Sequence, residues 1–367
     1  MRSTLLSLTI LSLNLLAVLS QEDPELPEIP DAPDGDIDII IDFNTGIVDG
    51  IPLPGDLADL NFTTSTSLTI AQILMLNTTA QGGTDLFNSN DLFHPCYKWT
   101  LITPILTELF KNNQTQECND NARAAVRAGF HDAGTWSRKL AARNITQGGA
   151  DGSLYLFDEA KTRAENRGLE TITEILGQLA RQYQLSVADM FQFAAAHATV
   201  TCPLGPRMRT FVGRPEATSA SPDGLLPSSN DDANTQIELF RDKGIGQLDL
   251  VALVGAHSVS KQRHVDESRP NTSQDSTPGV WDTEFYGNTL NSDSEPLSSN
   301  MTTFPSDKAL SQHPSLVKEW NGYVARQNDW VEHFSRAYLR LSLVGVQNIQ
   351  KMVECTNALP LHRSTFP

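Results

Sequence analysis

The stretch Arg127-Ala128-Gly129-Phe130-His131-Asp132 decides how this 367-residue chain is read. It closes a helical pattern that starts near Asn119, with Ala122, Ala125, Val126 and Phe130 on the apolar stripe. Residues four apart share a helix face, so Arg127 and His131 project side by side, next to the ring of Phe130. A titratable imidazole is thereby paired with a permanent cation. The imidazole can take a proton while the guanidinium stabilises growing negative charge.

A second histidine has a matching setting. Leu253-Val254-Gly255-Ala256-His257-Ser258 ends another apolar helical run. Downstream, Asp275-Ser276-Thr277-Pro278-Gly279-Val280-Trp281-Asp282 supplies the hard oxygens that calcium prefers. Gly148-Gly149-Ala150-Asp151-Gly152-Ser153 offers a similar set near the first histidine, with Asp132 as a further carboxylate. Each histidine is followed at once by a candidate calcium ligand, Asp132 or Ser258. A metal bound to the next residue would pin each imidazole in place. By contrast, His197 in the Ala194–Ala198 run reads as a core histidine.

The rest of the chain frames these stretches. Arg2, an apolar run from Leu5 to Leu19 and Ser20 read as a secretory signal over residues 1–20, too short for a membrane anchor. Six Asn-x-Ser/Thr sequons, at Asn61, Asn77, Asn113, Asn144, Asn271 and Asn300, fit a secreted glycoprotein. Four cysteines in an oxidising compartment imply two disulfides, and spacing alone allows three pairings. The net charge of −17 is uneven: residues 21–91 carry fourteen acids and no Lys or Arg, and the chain from residue 92 on balances to −4. No basic patch stands out to neutralise phosphates, so nucleic acid is excluded as a partner.

Residues 21–91 form an acidic extension whose Pro-rich start, 21–35, reads as disordered. A short strand is expected over Asp36–Phe43. From Asp91 on, the periodicity predicts helices over Tyr97–Phe110, Asn119–His131, Leu169–Tyr183, Ser186–Thr199, Thr235–Arg241, Leu248–His257 and one long helix over Ser315–Leu343.

From about Phe93 to Pro360 the chain resembles the secreted fungal (class II) haem peroxidases. The matching stretches are RAGFHD at 127–132, GGADGS at 148–153, FVGRPEATSASPDGLLP at 211–227, GAHSVS at 255–260, DSTPGVWD at 275–282 and FPSD at 304–307. The resemblance implies a mainly α, two-lobed fold with haem b between a distal lobe, 92–230, and a proximal lobe, 231–367. It makes His257 the proximal iron ligand and Asp307 the acceptor of its ring N–H. It makes His131 the distal base, Arg127 the distal cation, Phe130 their aromatic neighbour and Asn166 the residue that orients His131. It assigns Asp132, Gly149, Asp151 and Ser153 to one Ca²⁺, and Ser258, Asp275, Thr277, Val280 and Asp282 to a second. It selects the disulfides Cys118–Cys202 and Cys96–Cys355. The implied protein is a secreted monomer that reduces hydrogen peroxide and takes single electrons from small aromatic donors, with neither nucleic acid nor membrane as partner.

The chain departs from that family in places. Lys161 stands where a Glu usually supports the distal Asn, with Glu159 and Glu165 as possible substitutes. Gln274 stands where many members carry Phe. Manganese-oxidising members use acids eleven and seven residues before the distal His and six after the proximal His; here those positions hold Asp120, Ala124 and Arg263. Members that oxidise bulky, high-potential aromatics use a surface Trp five residues before the proximal His, and here that residue is Ala252. The acidic extension and Gln274 motivate one competing reading, a calcium-stabilised glycoprotein that no longer turns over peroxide. A calcium-dependent hydrolase built on His131 and Asp132 is the other, but it lacks a Ser or Cys nucleophile motif.

Overall fold

The computed structural model describes residues 41–82, 91–293 and 300–365. The signal-like segment and the Pro-rich stretch 21–35 lie outside them. Among the described residues, no helix is long and apolar enough to cross a membrane. All six sequon asparagines are exposed.

The fold is mainly helical. In the first half, α2 (Tyr97–Phe110), α3 (Asp120–Ala133) and α4 (Glu170–Tyr183) pack on α5 (Val187–Thr201). Every residue of α5 is buried. Its Ala194-Ala195-Ala196 run has no bulk to hold neighbours off: a methyl on Gly129 of α3 would sit 2.7 Å from the Ala195 Cβ. Tight packing of this kind fixes α3, and with it Arg127 and His131, to within small tolerances. In the second half, α6 (Ala233–Asp242), α7 (Gln247–Val254), α8 (Glu284–Asn291), α9 (Pro305–Gln312) and α10 (Val317–Tyr323) lead to α11 (Gln327–Leu341). α7 lies against α11.

The long helix expected over Ser315–Leu343 is two helices. The chain breaks after Tyr323, and Ala325 takes a left-handed φ of 59°. The apolar spacing continues through the break because both helices face one core, so periodicity could not reveal it.

Residues 41–82 are folded against the rest. Strands β1 (Ile41–Asp42), β2 (Ile47–Val48) and β3 (Ile51–Pro52) form an antiparallel sheet, with Ile41 opposite Val48 and Val48 opposite Ile51. Helix α1 (Ser65–Leu74) follows, opened by a reciprocal cap between Thr64 and Ser67. This helix was not predicted, because its β-branched sequence STSLTIAQIL is weakly helical by itself. Tertiary packing stabilises it: Leu53, Leu57, Ile70, Ile73 and Leu74 are all buried. Each contributes about 1.5–3 kcal/mol of transfer free energy on full burial. Gln350 ties the segment down, accepting from the Thr63 amide at 2.9 Å and donating to the Asn61 carbonyl at 2.6 Å. Glu332 of α11 likewise accepts from the Ala80 amide at 3.0 Å.

Strands β4 (Phe211–Val212) and β5 (Val353–Glu354) pair antiparallel and bring the C-terminal segment to the first half. The disulfides are Cys96–Cys355 and Cys118–Cys202, the pairing that the resemblance implies.

Candidate active site

Asn119 caps α3 by accepting from the amides of Asn121 and Ala122, at 3.0 and 3.1 Å. Near the other end, Arg127 Nε donates to His131 Nε2 at 3.1 Å. The guanidinium is also held by the carbonyls of Arg167 and Glu165, at 2.9 and 2.7 Å. His131 Nδ1 lies 2.8 Å from Asn166 Oδ1. An amide oxygen only accepts, so Nδ1 carries the proton and Nε2 presents its lone pair to the Arg127 side. Burial, and then the Arg127 charge, hold the His131 pKa well below the usual histidine value, against a smaller upward pull from Asn166. Burial also lowers Arg127, to about 10, which leaves it a cation at neutral pH. The Phe130 ring stands edge-on to His131, 5.7 Å between centroids, and stacks on Phe240 of α6 at 5.8 Å.

Lys161 does not enter this chain of bonds. It pairs on the surface with Asp158 and Glu174, at 3.0 and 3.1 Å. Asn166 Nδ2 instead donates to the backbone carbonyl of Glu159 at 3.0 Å. The Glu159 carboxylate is committed elsewhere, to the Ser221 amide and hydroxyl and to Arg163. Glu159 therefore stands in for the usual Glu through its main chain, while Glu165 serves Arg127.

The loop after α3 gathers oxygens next to His131. Asp132 is fully buried and accepts from the Gly152 amide at 3.1 Å. Burial, then repulsion from Asp151, raises the Asp132 pKa well above the carboxylate range, and burial raises Asp151 too. Ser153 Oγ is buried without a hydrogen-bond partner. Gly148 and Gly149 both have positive φ, and Cβ atoms on them would strike the carbonyls of Thr135 and Val344 at 2.3 and 2.4 Å. Only glycine lets the loop close over Asp132.

On the other side, His257 sits on a 3₁₀ turn, Gly255–Val259, that continues α7. Its Nδ1 lies 3.1 Å from Oδ2 of Asp307 in the first turn of α9, where Pro305 starts the helix. Asp307 is 1 % exposed, whereas the His257 side chain is 35 % exposed. The rings of Phe285 and Phe304 meet His257 edge-on, at 5.7 and 5.9 Å. The sequence reading did not single out these two walls; only Phe304, inside the FPSD stretch, carried a signal. Nearby, Thr277 Oγ1 donates to Asp275 and lies 2.8 Å from Asp282 Oδ2. Ser258 Oγ and Asp275 Oδ2 are buried without partners, and burial followed by repulsion from Asp282 pushes Asp275 up to about 7.

These observations fit the implied groups. Two oxygen sets each bring together carboxylates that resist sharing a buried space, with an unpartnered serine hydroxyl alongside in each. That is a donor set for a hard cation. Neither set gathers three carboxylates among the described residues, so hydroxyl and carbonyl oxygens would complete each one. His257, oriented through Nδ1 and with Nε2 making no hydrogen bond among the described residues, suits an axial imidazole ligand to haem iron.

Residues 105–326 match the family model described as peroxidase. The chain belongs to the peroxidase family. It is 30 % identical over 292 residues to a versatile peroxidase of Pleurotus eryngii, covering 74 % of this chain and 78 % of that one. It is 33 % identical over 246 residues to a low-redox potential peroxidase of Taiwanofungus camphoratus, covering 63 % and 74 %. A ligninase of Phanerodontia chrysosporium matches at 31 % over 284 residues, covering 73 % and 75 %. This peroxidase is thus a haem-dependent oxidoreductase that uses hydrogen peroxide and organic electron donors.

Asp120, Arg263 and Ala252 also have defined partners. Arg263 Nη2 meets Asp120 Oδ2 at 2.7 Å, and Arg123 Nη1 meets Asp120 Oδ1 at 2.8 Å. Ala252 is fully buried, and its carbonyl accepts from the Trp330 indole at 3.0 Å. Trp281, Trp320 and Trp330 are also fully buried. His197 is a core residue, as expected, with Nε2 bonded to Thr107 at 2.9 Å and Nδ1 unpartnered.

Proposed function

We propose that this peroxidase oxidises small, low-potential phenols and similar aromatics, with no dedicated manganese or high-potential donor site. Haem, which His257 would hold, would supply the redox chemistry toward hydrogen peroxide and a store of oxidising equivalents. His131 takes the proton from one peroxide oxygen on Nε2 and returns it to the other, so that water leaves. Its Nδ1–H stays on Asn166, which keeps the base in the required tautomer. Arg127 gives up its bond to Nε2 as peroxide enters and stabilises the charge on the departing oxygen. Two Ca²⁺ ions, one that Asp132, Gly149, Asp151 and Ser153 would hold and one that Ser258, Asp275, Thr277, Val280 and Asp282 would hold, would keep the two histidine segments in position. The sequons and the signal-like start support secretion.

The observation that carries the donor reading is the Arg263–Asp120 pair at 2.7 Å. One acid of a possible manganese site is already neutralised by two guanidiniums, and Ala124 contributes no ligand. A divalent ion would have to displace Arg263 against Coulomb repulsion. Ala252 is buried, which supports the absence of a surface radical site there. Steady-state assays with a simple phenol, Mn²⁺ and a non-phenolic aromatic test the proposal. Turnover is expected with the phenol alone, and saturable Mn²⁺ oxidation at micromolar metal would overturn it.

A further inference from the structure

Gln274 is 2 % exposed and lies against the hydrogen bond that supports the proximal histidine. Its Nε2 is 2.8 Å from Asp307 Oδ2 and 3.0 Å from His257 Nδ1. Turning the amide over would press its carbonyl oxygen against a carboxylate oxygen, so the N–H orientation is the one that bonds. His257 Nδ1 and Gln274 Nε2 therefore aim two donors at one oxygen of Asp307.

Resting on His257 as the axial ligand, we propose that Gln274 sets the redox poise of the haem iron by competing with His257 for the charge of Asp307. A carboxylate that accepts the imidazole N–H makes the ring more anionic, which favours ferric iron over ferrous. A second donor on the same oxygen withdraws part of that charge. The imidazole becomes less anionic, and the Fe(III)/Fe(II) potential lies higher than Asp307 alone would set it. The arrangement is poorly explained as packing. Gln274 Oε1 is buried without a partner, so a Met or Leu of similar volume would fill the space without stranding a carbonyl. Poise and donor access then rest on separate residues, Gln274 for the first and Arg263 with Ala252 for the second.

The test uses the holoenzyme and its Gln274→Met and Gln274→Leu variants; if one fails to fold, the other carries the measurement. Spectroelectrochemistry gives the Fe(III)/Fe(II) midpoint, and resonance Raman of the ferrous state gives the iron–histidine stretch. Removing the donor should shift the midpoint to more negative values, on the order of 59 mV for a tenfold change in the ferric-to-ferrous ratio. The stretch should rise in frequency. Asp307→Asn provides the opposite extreme and should move both readouts the other way. An unchanged midpoint and stretch at position 274, beside a responsive Asp307→Asn, would overturn the role of Gln274 alone. A wild-type protein without an iron–histidine stretch would overturn the His257 assignment and this proposal with it.

Discussion

His131 and His257 each end an apolar helical run, and each is followed by an oxygen that lies in a candidate calcium set. Their surroundings are opposite. His131 is buried beside a guanidinium, which keeps it uncharged, and its Nδ1 bond to a neutral amide leaves the ring proton off Nε2. His257 faces a buried carboxylate, which draws its Nδ1 proton and pushes charge toward Nε2. In the proposed mechanism the same side chain is a proton carrier in one place and an electron-rich ligand in the other, and its partner decides which.

The largest expected effect comes from breaking each half in turn. His257→Ala should lose haem or hold it weakly, seen as loss of the Soret band. His131→Ala should keep haem but react with peroxide roughly 10²–10⁴-fold more slowly by stopped flow. Near-normal peroxide reactivity in His131→Ala would erase the contrast.

Removing calcium with a chelator should come next, abolishing activity although no catalytic side chain is touched. Asp132 is fully buried and adjoins His131, so two uncompensated carboxylates there should loosen the end of α3. The haem spectrum before and after chelation is the measurement, and a persistent high-spin form with full activity would uncouple the loop from the base.

A smaller effect tests the tautomer. Asn166→Leu should slow the peroxide reaction about 10–100-fold while haem binding stays intact, as expected for loss of the group that orients a reactive imidazole. An unchanged rate would mean that Arg127 alone orients the ring.

Lys243 serves as a control for burial without function. It is 2 % exposed with Nζ unpartnered, and burial lowers its pKa to about 8, against a small upward pull from Asp242. Between about 8 and the unfolded value, only the unfolded chain binds the proton, so stability rises with pH across that window. Lys243→Met should therefore stabilise the protein at pH 7 by about 2–3 kcal/mol. The gain should disappear once pH passes the unfolded lysine value, near 10.5. Denaturant titrations at pH 7 and 10.5 read the difference; an equal gain at both would assign it to packing.

Much of this comparison was legible beforehand because it rests on short spacings. Arg127 and His131 are one helical turn apart, and Ser258 and Asp132 directly follow their histidines. The break at Ala325 and helix α1 were not legible, since both depend on packing against segments far away in sequence. The support of Asn166 by a Glu159 carbonyl was hidden for another reason: any residue supplies a carbonyl. Gln274 was visible as an unusual residue, but its role needed the position of Asp307, 33 residues further on.

The clamp between residues 41–82 and the C-terminal region also has a consequence in time. Thr63 waits for Gln350, 287 residues later, and Cys96 waits for Cys355, 259 residues later. At ribosomal rates of about 5–20 residues per second, the first-made segment spends roughly 15–60 s without its partner. The hydrogen bonds from Gln350 that hold that segment cannot form in that interval. Each nascent chain can therefore complete the clamp on its first folded segment only after Gln350, near its C-terminal end, is made.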